Sequence, residues 1–227
     1  METIGYIHTA FPEKFGIPRQ SGLVDDLRAR VVLVPPYADP NAVRGLEGFS
    51  HVWLIWGFDV PSREGEAFSP TVRPPRLGGE ERVGVFASRS PFRPNALGLS
   101  CVRLVAVETG DAGAELVVAG ADLRDGTAIF DIKPYVPLTD CRPDAVGGFT
   151  EEREWVRLQV DVPPEVAADL RERLGEQDFA GLMGVLAEDP RPAYQHDAGR
   201  VYGLTFAGVE VRFTVDDAAG ILHVIGA

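Results

Sequence analysis

Two arginines stand in a proline-rich segment, and their spacing points to binding of an anionic group. The segment reads Val83-Gly-Val-Phe-Ala-Ser-Arg-Ser-Pro-Phe-Arg-Pro-Asn-Ala-Leu-Gly-Leu-Ser100, so Arg89 and Arg93 lie beside Pro91 and Pro94. Proline fixes φ and reduces the freedom of the chain, so this connection is stiff. Arginine presents a planar fork of donors that suits a carboxylate or a phosphate. A turn with solvated charges is the alternative, and the segment alone leaves both open.

A second loop carries a cation and an amide behind a proline. Phe11-Pro-Glu-Lys-Phe-Gly-Ile-Pro-Arg-Gln-Ser-Gly22 contains Pro18, Arg19 and Gln20 in a row. A side-chain amide has a donor NH2 group and an acceptor oxygen and can pair with the edge of an adenine. By itself this pattern is a weak signal and favours a solvated loop.

Carboxylates and a lysine surround a turn and a strand in the segment from Gly120 to Tyr135. Asp125-Gly126 is a turn pair, so Asp125 has a structural explanation. Asp131 and Lys133 are two residues apart and therefore share one face of a strand. They can form a simple ion pair, or the carboxylate can hold an amine or accept a proton.

The run Leu46-Glu-Gly-Phe-Ser-His-Val-Trp-Leu-Ile-Trp-Gly-Phe58 is almost continuously apolar and predicts a central strand. Trp53, Trp56 and Phe58 are expected in the core. One of them could instead form a wall on which a base stacks.

Several known sites are absent from the sequence. No G-x-G-x-x-G follows a strand, and neither a phosphate-binding G-x-x-x-x-G-K-[ST] nor a G-x-S-x-G elbow occurs. The four histidines are scattered and show no metal-ligand spacing, so no metal site is expected. Cys101 and Cys141 are expected to be reduced thiols, with a single disulfide as the alternative.

The formal net charge of the 227 residues is −12, which argues against indiscriminate nucleic-acid binding. A local basic region remains, because residues 71–93 contain five arginines against two glutamates. The chain has no apolar run of about 18 residues, so no membrane span is expected. It opens directly on a strand pattern without a charged and apolar leader, which predicts no signal peptide and a cytoplasmic protein.

Short β runs separated by proline and glycine loops dominate the first part. They are predicted at Thr3–His8, Val31–Val34, His51–Phe58, Val83–Ala87, Val102–Val107, Glu115–Ala119 and Ala128–Ile132. A short helix is expected at Pro40–Gly45. Without long amphipathic helices between the strands, a barrel or sandwich is favoured over a βαβ sheet.

The pattern of apolar and polar residues changes after residue 140. A linker at 141–152 separates a predicted domain at 1–140 from a small α+β domain at 153–227. Two helices are expected there, the first starting at Pro163-Pro164 and stopped by Gly175, the second ending at Asp189-Pro190. Three strands follow, at Val201–Phe206, Val209–Val215 and Ile221–Ile225.

Together these segments resemble the TrmO (TsaA-like) family. The resemblance rests on Glu13–Gln20, Leu46–Leu54, Val83–Ser100, Asp131–Tyr135, Asp189–Tyr194 and Tyr202–Arg212, in this order. It implies a tRNA methyltransferase that uses S-adenosylmethionine and modifies N6 of threonylcarbamoyladenosine at position 37. It also implies a mainly β fold, a single-sheeted β-barrel with an added small α+β C-terminal part, and a homodimer.

The resemblance also implies which residues contact the cofactor: Pro18, Arg19, Gln20, Phe58, Asp59, Arg89, Leu99, Asp122, Leu123, Arg124 and Asp125. This chain departs from the usual pattern at Asp59, where a histidine is common, and at Ala96 and Ala128, which replace frequent prolines.

The acceptor N6 is a weak nucleophile until it loses a proton, because its lone pair is delocalised into a urea-like group. Asp131 and Asp125 are the expected proton acceptors, and Lys133 or Tyr135 would orient the modified adenosine. Arg93, Arg73 and Arg76 are expected to bind the substrate. A regulatory module that binds S-adenosylmethionine without turnover, and a methyltransferase acting on another substrate, remain alternatives.

Overall fold

A computed structural model describes residues 1–59, 68–74, 81–152, 155–192, 195, 197 and 199–227. Its first part is a closed antiparallel barrel in the strand order β1-β2-β7-β6-β3-β8. The barrel strands are β1 (Gly5–His8), β2 (Arg28–Leu33), β3 (His51–Gly57), β6 (Leu97–Gly110), β7 (Gly113–Ala119) and β8 (Thr127–Pro134). The predicted mainly β fold with a single-sheeted barrel is therefore confirmed.

Successive side chains of a strand point alternately into and out of the barrel, and the inward ones fill its interior. On β3, Val52, Leu54 and Trp56 are buried, while the residues between them are only half-buried. Strands β1 and β8 pair at Gly5 opposite Ile129, and this contact closes the sheet on itself. Closure leaves no free sheet edge, which is the usual reason that short antiparallel strands form barrels.

The predicted strand at Val83–Ala87 is wrong beyond its first two residues. Val83–Gly84 forms β5, which pairs with β4 (Thr71–Val72) in a hairpin apart from the barrel, and Val85–Ala87 is a 3-10 turn. The turn forms because Ser88 donates from its backbone N to the carbonyl of Val85. The predicted short helix after Pro40 is also a 3-10 turn, at Pro40–Val43, and a short α1 spans Pro137–Asp140.

The C-terminal part packs one helical segment on a four-stranded sheet in the order β10-β11-β12-β9. Its elements are β9 (Gln159–Asp161), α2 (Pro164–Ala187), β10 (Tyr202–Phe206), β11 (Val209–Asp216) and β12 (Ile221–Gly226). Gly175 has φ 76° inside α2, so the predicted interruption between two helices is present as a kink. The three predicted strands are confirmed as β10, β11 and β12, and the sheet has one strand more: β9, three residues long, is a parallel partner of β12.

One hydrophobic core joins the C-terminal part to the loop between β1 and β2. Phe11, Val24 and Leu27 of that loop are buried in the same cluster as Leu204 and Phe206 of β10. The rings of Phe11 and Phe206 meet edge to face at 5.5 Å. The loop is therefore held from both sides, by the barrel strands at its ends and by the C-terminal sheet along its length.

Backbone contacts fix the same loop. Ala207 donates from its backbone N to the carbonyl of Ala10, and the Gln177 amide donates to the carbonyl of Asp26. Gly16 has φ 90° and lies so close to Leu204 that a Cβ would overlap this side chain. Among the described residues no helix has the length and apolar character needed to cross a membrane.

Candidate functional site

A cavity of about 830 Å³ opens at one end of the barrel. Four chain segments line it, at residues 14–20, 56–59, 86–99 and 122–127. These are the loop between β1 and β2, the end of β3, the proline-rich segment entering β6, and the connection from β7 to β8. Antiparallel pairing brings the end of β3 beside the start of β6, with Gly57 opposite Leu97, and so gathers the segments at one mouth.

Side chains from two barrel strands and one loop form a hydrogen-bonded chain at this mouth. The indole Nε1 of Trp56 donates to Oγ of Ser100 at 3.0 Å. Ser100 in turn donates to Oδ1 of Asp122 at 2.6 Å, while being only 1% exposed itself. Trp56 and Asp122 line the cavity, so the chain presents a fixed carboxylate to whatever the cavity holds.

A glycine makes room for the tryptophan of this chain. Gly98 lies opposite Trp56 in the β3–β6 pairing, and a Cβ there would overlap the indole ring. The prediction of a core position is wrong for Trp53, which is half-buried outside the barrel core and donates from its indole Nε1 to Oδ2 of Asp140 at 3.0 Å. Trp56 is 7% exposed and belongs to the barrel core, as predicted. Its ring also meets that of Phe58 at 4.3 Å, which completes an aromatic wall.

The environment of Asp122 changes its acidity. Burial raises the pKa of Asp122 above its usual range, because the charged carboxylate loses hydration. The hydrogen bond from Ser100 and the charge of Arg89 act in the opposite direction and are smaller. A carboxylate with a raised pKa is a better proton acceptor than an ordinary aspartate.

The two arginines of the proline-rich segment both reach the cavity. The guanidinium of Arg89 donates to Oε1 of Gln20 in the first loop, so two predicted cofactor residues contact each other. Arg93 donates to the carbonyl of Ser88 at 3.1 Å, which stiffens its own segment, and it lines the cavity as well.

A small ion-paired cluster belongs to the lining of the cavity. Arg124 pairs with Asp59 at 2.9 Å, and Lys14 donates to the carbonyl of Asp59, also at 2.9 Å. Asp59, one of the departures from the family pattern, thus ties the first loop to the segment after β7. These residues surround the mouth with more positive than negative charge.

The C-terminal part contacts the loop between β1 and β2 through a buried arginine. Arg191 is 3% exposed and pairs with Asp189 at 2.8 Å and Asp217 at 2.7 Å. Its own carbonyl accepts a hydrogen bond from the guanidinium of Arg19 at 3.4 Å. The Asp189–Tyr194 motif therefore supports a loop residue of the cavity, although its Ala193 and Tyr194 lie outside the described residues.

The structure brings ten of the eleven residues implied as cofactor contacts to one cavity. They are Pro18, Arg19, Gln20, Phe58, Asp59, Arg89, Leu99, Asp122, Leu123 and Arg124. The eleventh, Asp125, turns away: its Oδ1 accepts from the backbone N of Thr9 at 3.1 Å and lies 3.2 Å from Nδ1 of His8.

The other residues expected to be catalytic do not line the cavity. Asp131 and Lys133 form an exposed ion pair at 3.0 Å on the outer face of β8, opposite Ile55 and Trp53 of β3. Tyr135 lies against Trp53 at a ring distance of 5.8 Å. Their catalytic role stays a prediction, and the simple ion pair that the spacing also allowed is present.

The expected substrate arginines are placed in three different ways. Arg93 lines the cavity, and Arg73 is exposed just after β4. Arg76 lies outside the described residues. Sequence reasoning missed Lys14, Ser100 and Phe86 at this site; for Ser100 the signal was its inward position in the alternating run that starts β6.

Comparisons with known proteins follow the same division of the chain. Residues 6–141 match the family model of the tRNA-methyltransferase O N-terminal domain, and residues 156–226 match that of the TrmO C-terminal domain. A crystal structure of TrmO from Pseudomonas aeruginosa matches with a TM-score of 0.76 and 33% identity, covering 99% of this chain and 96% of that one.

Two curated relatives match along nearly their whole length. The tRNA (adenine(37)-N6)-methyltransferase of Escherichia coli (strain K12) is 41% identical over 221 residues, which cover 96% of this chain and 93% of the relative. A putative S-adenosylmethionine-dependent methyltransferase of Pseudomonas aeruginosa is 40% identical over 232 residues, covering 98% and 96%.

Proposed function

Because this chain belongs to the TrmO family, we propose that it transfers a methyl group from S-adenosylmethionine to N6 of adenosine 37 in tRNA. The proposed acceptor is the threonylcarbamoyl-bearing adenosine. The observation that carries this proposal is the cavity at the barrel mouth, which gathers almost all of the family's cofactor positions in a chain without dinucleotide-binding glycines.

The residues around the cavity fit S-adenosylmethionine in size and chemistry. A volume of about 830 Å³ lies within the range of small-molecule sites. The guanidinium groups of Arg19 and Arg89 suit the carboxylate of its amino-acid end. The Trp56–Phe58 wall offers an aromatic surface to a base, and Gln20 supplies an amide beside it.

When bound, S-adenosylmethionine supplies a methyl group on a positively charged sulfur, so little further activation is needed. The contribution of the protein is therefore alignment of the acceptor nitrogen and removal of its proton. The stiff segment with Pro91 and Pro94 holds Arg89 and Arg93 without further ordering, which suits this positioning role.

Asp122 is the carboxylate that we propose as acceptor of the N6 proton. It lines the cavity, its orientation is fixed by Ser100, and its pKa is raised by burial, which makes it a better proton acceptor than an ordinary aspartate. Asp125, Asp131, Lys133 and Tyr135 stay as further proposed catalytic residues. The Asp125 carboxylate accepts from the backbone N of Thr9, Asp131 pairs with Lys133, and Tyr135 packs on Trp53.

The RNA is proposed to bind at the arginine-bearing side of the mouth. Arg93, Arg73 and Arg76 would contact its phosphates or the carboxylate of the threonyl group. The working form is proposed to be a homodimer in the cytoplasm, where tRNA is found. The apolar side chain of Val105 on β6 is 41% exposed and supports an interface there.

The deciding experiment uses two preparations of one tRNA, with and without the threonylcarbamoyl group, and labelled S-adenosylmethionine. Methyl incorporation into the modified tRNA alone is expected. A site that pairs with the threonyl carboxylate is left with unpaired polar groups when the substrate lacks it.

Two other results would redirect the proposal, and one test in cells would support it. Equal incorporation into both preparations would show that the modification is not recognised. Cofactor binding by calorimetry without any incorporation would favour a regulatory module. Absence of the methylated nucleoside from a deletion strain, with its return on adding back the gene, would test the substrate in cells by mass spectrometry.

A further inference from the structure

Two phenylalanines expose their rings to solvent at the rim of the cavity. Phe86 is 72% exposed and lines the cavity, and Phe68 is 57% exposed. Their rings stack at a centroid distance of 6.3 Å and an interplanar angle of 26°. Phe92, 46% exposed, follows six residues after Phe86 on the same segment. We call Phe68 and Phe86 the aromatic pair.

The exposure of Phe86 is built into the fold of its segment. Val85, the residue before it, is 1% exposed and anchors the turn in the protein interior. The backbone N of Val85 donates to the carbonyl of Pro70 at 2.9 Å, and the Ser88 hydroxyl donates to the carbonyl of Val85, also at 2.9 Å. A buried residue followed by a tight turn directs Phe86 outward.

Positive charge flanks the aromatic pair along the chain. The described residues from 68 to 74 and from 81 to 95 contain four arginines and one acidic side chain, Glu81, in a chain whose formal net charge is −12. The arginines are Arg73, Arg82, Arg89 and Arg93. Arg82 donates to the hydroxyl of Thr71 at 2.8 Å, so its guanidinium is fixed on the β4–β5 hairpin.

We propose that the aromatic pair is a stacking platform for one unpaired base of the RNA, the neighbour of the nucleotide that enters the cavity. Exposed aromatic rings between arginines are the arrangement by which proteins bind unpaired nucleotides, since every base has a face that can stack. This inference rests on the proposed function and adds to it the surface that holds the base next to the acceptor.

The alternative binding partner of the aromatic pair is a second copy of the chain. The charge argues against it, because two copies of a positive rim would repel each other, whereas RNA phosphates neutralise it. The position also argues for RNA, because Phe86 lies on the cavity wall itself, where the neighbour of a bound nucleotide must pass.

The test is a double-mutant cycle with an anticodon stem-loop RNA hairpin that carries threonylcarbamoyladenosine at position 37. Its partner hairpin lacks the base at position 38, or, in a second series, at position 36. Phe86→Ala is expected to weaken binding of the intact hairpin about tenfold, the size typical of one stacked base. Removing the base at the contacted position should weaken wild-type binding similarly and leave Phe86→Ala nearly unaffected.

Matched variants separate stacking from loss of fold. Phe86→Trp should keep the affinity, and Phe86→Leu, which is apolar but not aromatic, should lose it. Phe49→Ala is the control, since Phe49 is 38% exposed and precedes β3, at the opposite end of that strand from the cavity. Phe68→Ala should weaken RNA binding as well. Because Phe68 is not among the described residues that line the cavity, this variant should leave the cofactor affinity, measured by calorimetry, unchanged.

The outcomes distinguish this inference from the proposed function. If wild-type protein methylates the hairpin and Phe86→Ala binds both hairpins as the wild type does, the platform is refuted while the function stands. If the wild type methylates nothing, the proposed function fails on its own. A change of molar mass by light scattering in Phe86→Ala, with unchanged RNA affinity, would assign the pair to an interface between copies and overturn the proposal.

Discussion

The hydroxyl of Ser100 donates to Oδ1 of Asp122 at 2.6 Å, and this contact joins the barrel core to the cavity. Ser100 is held in turn by the Trp56 indole at 3.0 Å. Asp122 thus has a fixed direction and a raised pKa, which are the two properties that a proton acceptor needs. Neither property follows from the residue type alone.

Asp122→Asn is expected to lower the rate of methyl transfer about 10²–10⁴-fold, the usual contribution of a positioned base. Single-turnover measurement with modified tRNA gives this rate, and calorimetry separates it from cofactor affinity. Asp131→Asn is the matched comparison. If Asp131→Asn abolishes transfer and Asp122→Asn does not, the proton acceptor is Asp131.

The raised pKa of Asp122 also fixes the direction of two pH effects. Activity should fall as the pH drops through this pKa, because the protonated carboxyl cannot accept a proton. The folded chain favours the protonated form, so stability is lost as the pH rises through the folded pKa. The melting temperature of Asp122→Asn minus that of the wild type should therefore be larger at pH 8 than at pH 4. The reverse order would contradict the burial of this charge.

Arg89→Lys should weaken cofactor binding about tenfold, because an ammonium cannot reproduce the planar fork of donors. Arg44→Lys is the matched control: Arg44 is also exposed, and its guanidinium also donates to a side-chain amide oxygen, that of Asn41. Both variants should melt at the wild-type temperature. Equal cofactor affinity in the two variants, measured by calorimetry, would show that Arg89 does not bind the cofactor and belongs to a turn with solvated charges.

Gly16→Ala and Gly22→Ala separate packing of the first loop from backbone strain. Both glycines have positive φ, 90° and 78°, so both variants carry a cost of about 1–2 kcal/mol. Only at Gly16 does the added Cβ overlap Leu204, since nothing lies within 4 Å at Gly22. Gly16→Ala should therefore raise the KM for S-adenosylmethionine, and Gly22→Ala should change stability alone. Identical kinetics in the two would show that contact with Leu204 does not position Pro18–Gln20.

The sequence was sufficient for the barrel architecture because its strands alternate in polarity and are separated by proline and glycine. It found only Val102–Val107 of β6, which runs over 14 residues from Leu97 to Gly110. It was insufficient where tertiary contacts override local preference. Val85 looks like a strand residue, but its burial and its bond to Pro70 place it in a 3-10 turn. Strand β9 has only three residues and gains its structure from pairing with β12.

The candidate site was predictable where it lies within motifs, as for Pro18–Gln20 and Arg89. The contacts between motifs were not, because Ser100 and Asp122 meet only through barrel pairing, and Arg19 meets the carbonyl of Arg191 across 172 positions of sequence. The spacing of Asp131 and Lys133 correctly indicates a shared strand face. The sequence alone does not show which face of β8 lies towards the cavity.

Arg191→Ala tests whether the C-terminal part supports the cavity. The side chain is almost fully buried and pairs with Asp189 and Asp217, so its loss should destabilise the protein by about 3–5 kcal/mol. Arg173→Ala is the control, because Arg173 pairs with Asp169 on the exposed surface of α2 and should cost less than about 1 kcal/mol. Urea unfolding gives both values.

The functional part of this prediction concerns Arg19. Loss of the Arg191 side chain frees the segment whose carbonyl accepts from the Arg19 guanidinium, so cofactor affinity should fall in Arg191→Ala at temperatures where the protein is still folded. Arg191→Lys keeps a charge between the two aspartates and should recover part of both losses. If Arg191→Ala loses stability but keeps its cofactor affinity, Arg191 stabilises only the C-terminal part and does not support the cavity. Loss of affinity in step with stability, partly restored by lysine, would establish that the C-terminal part orders the loop that binds the cofactor.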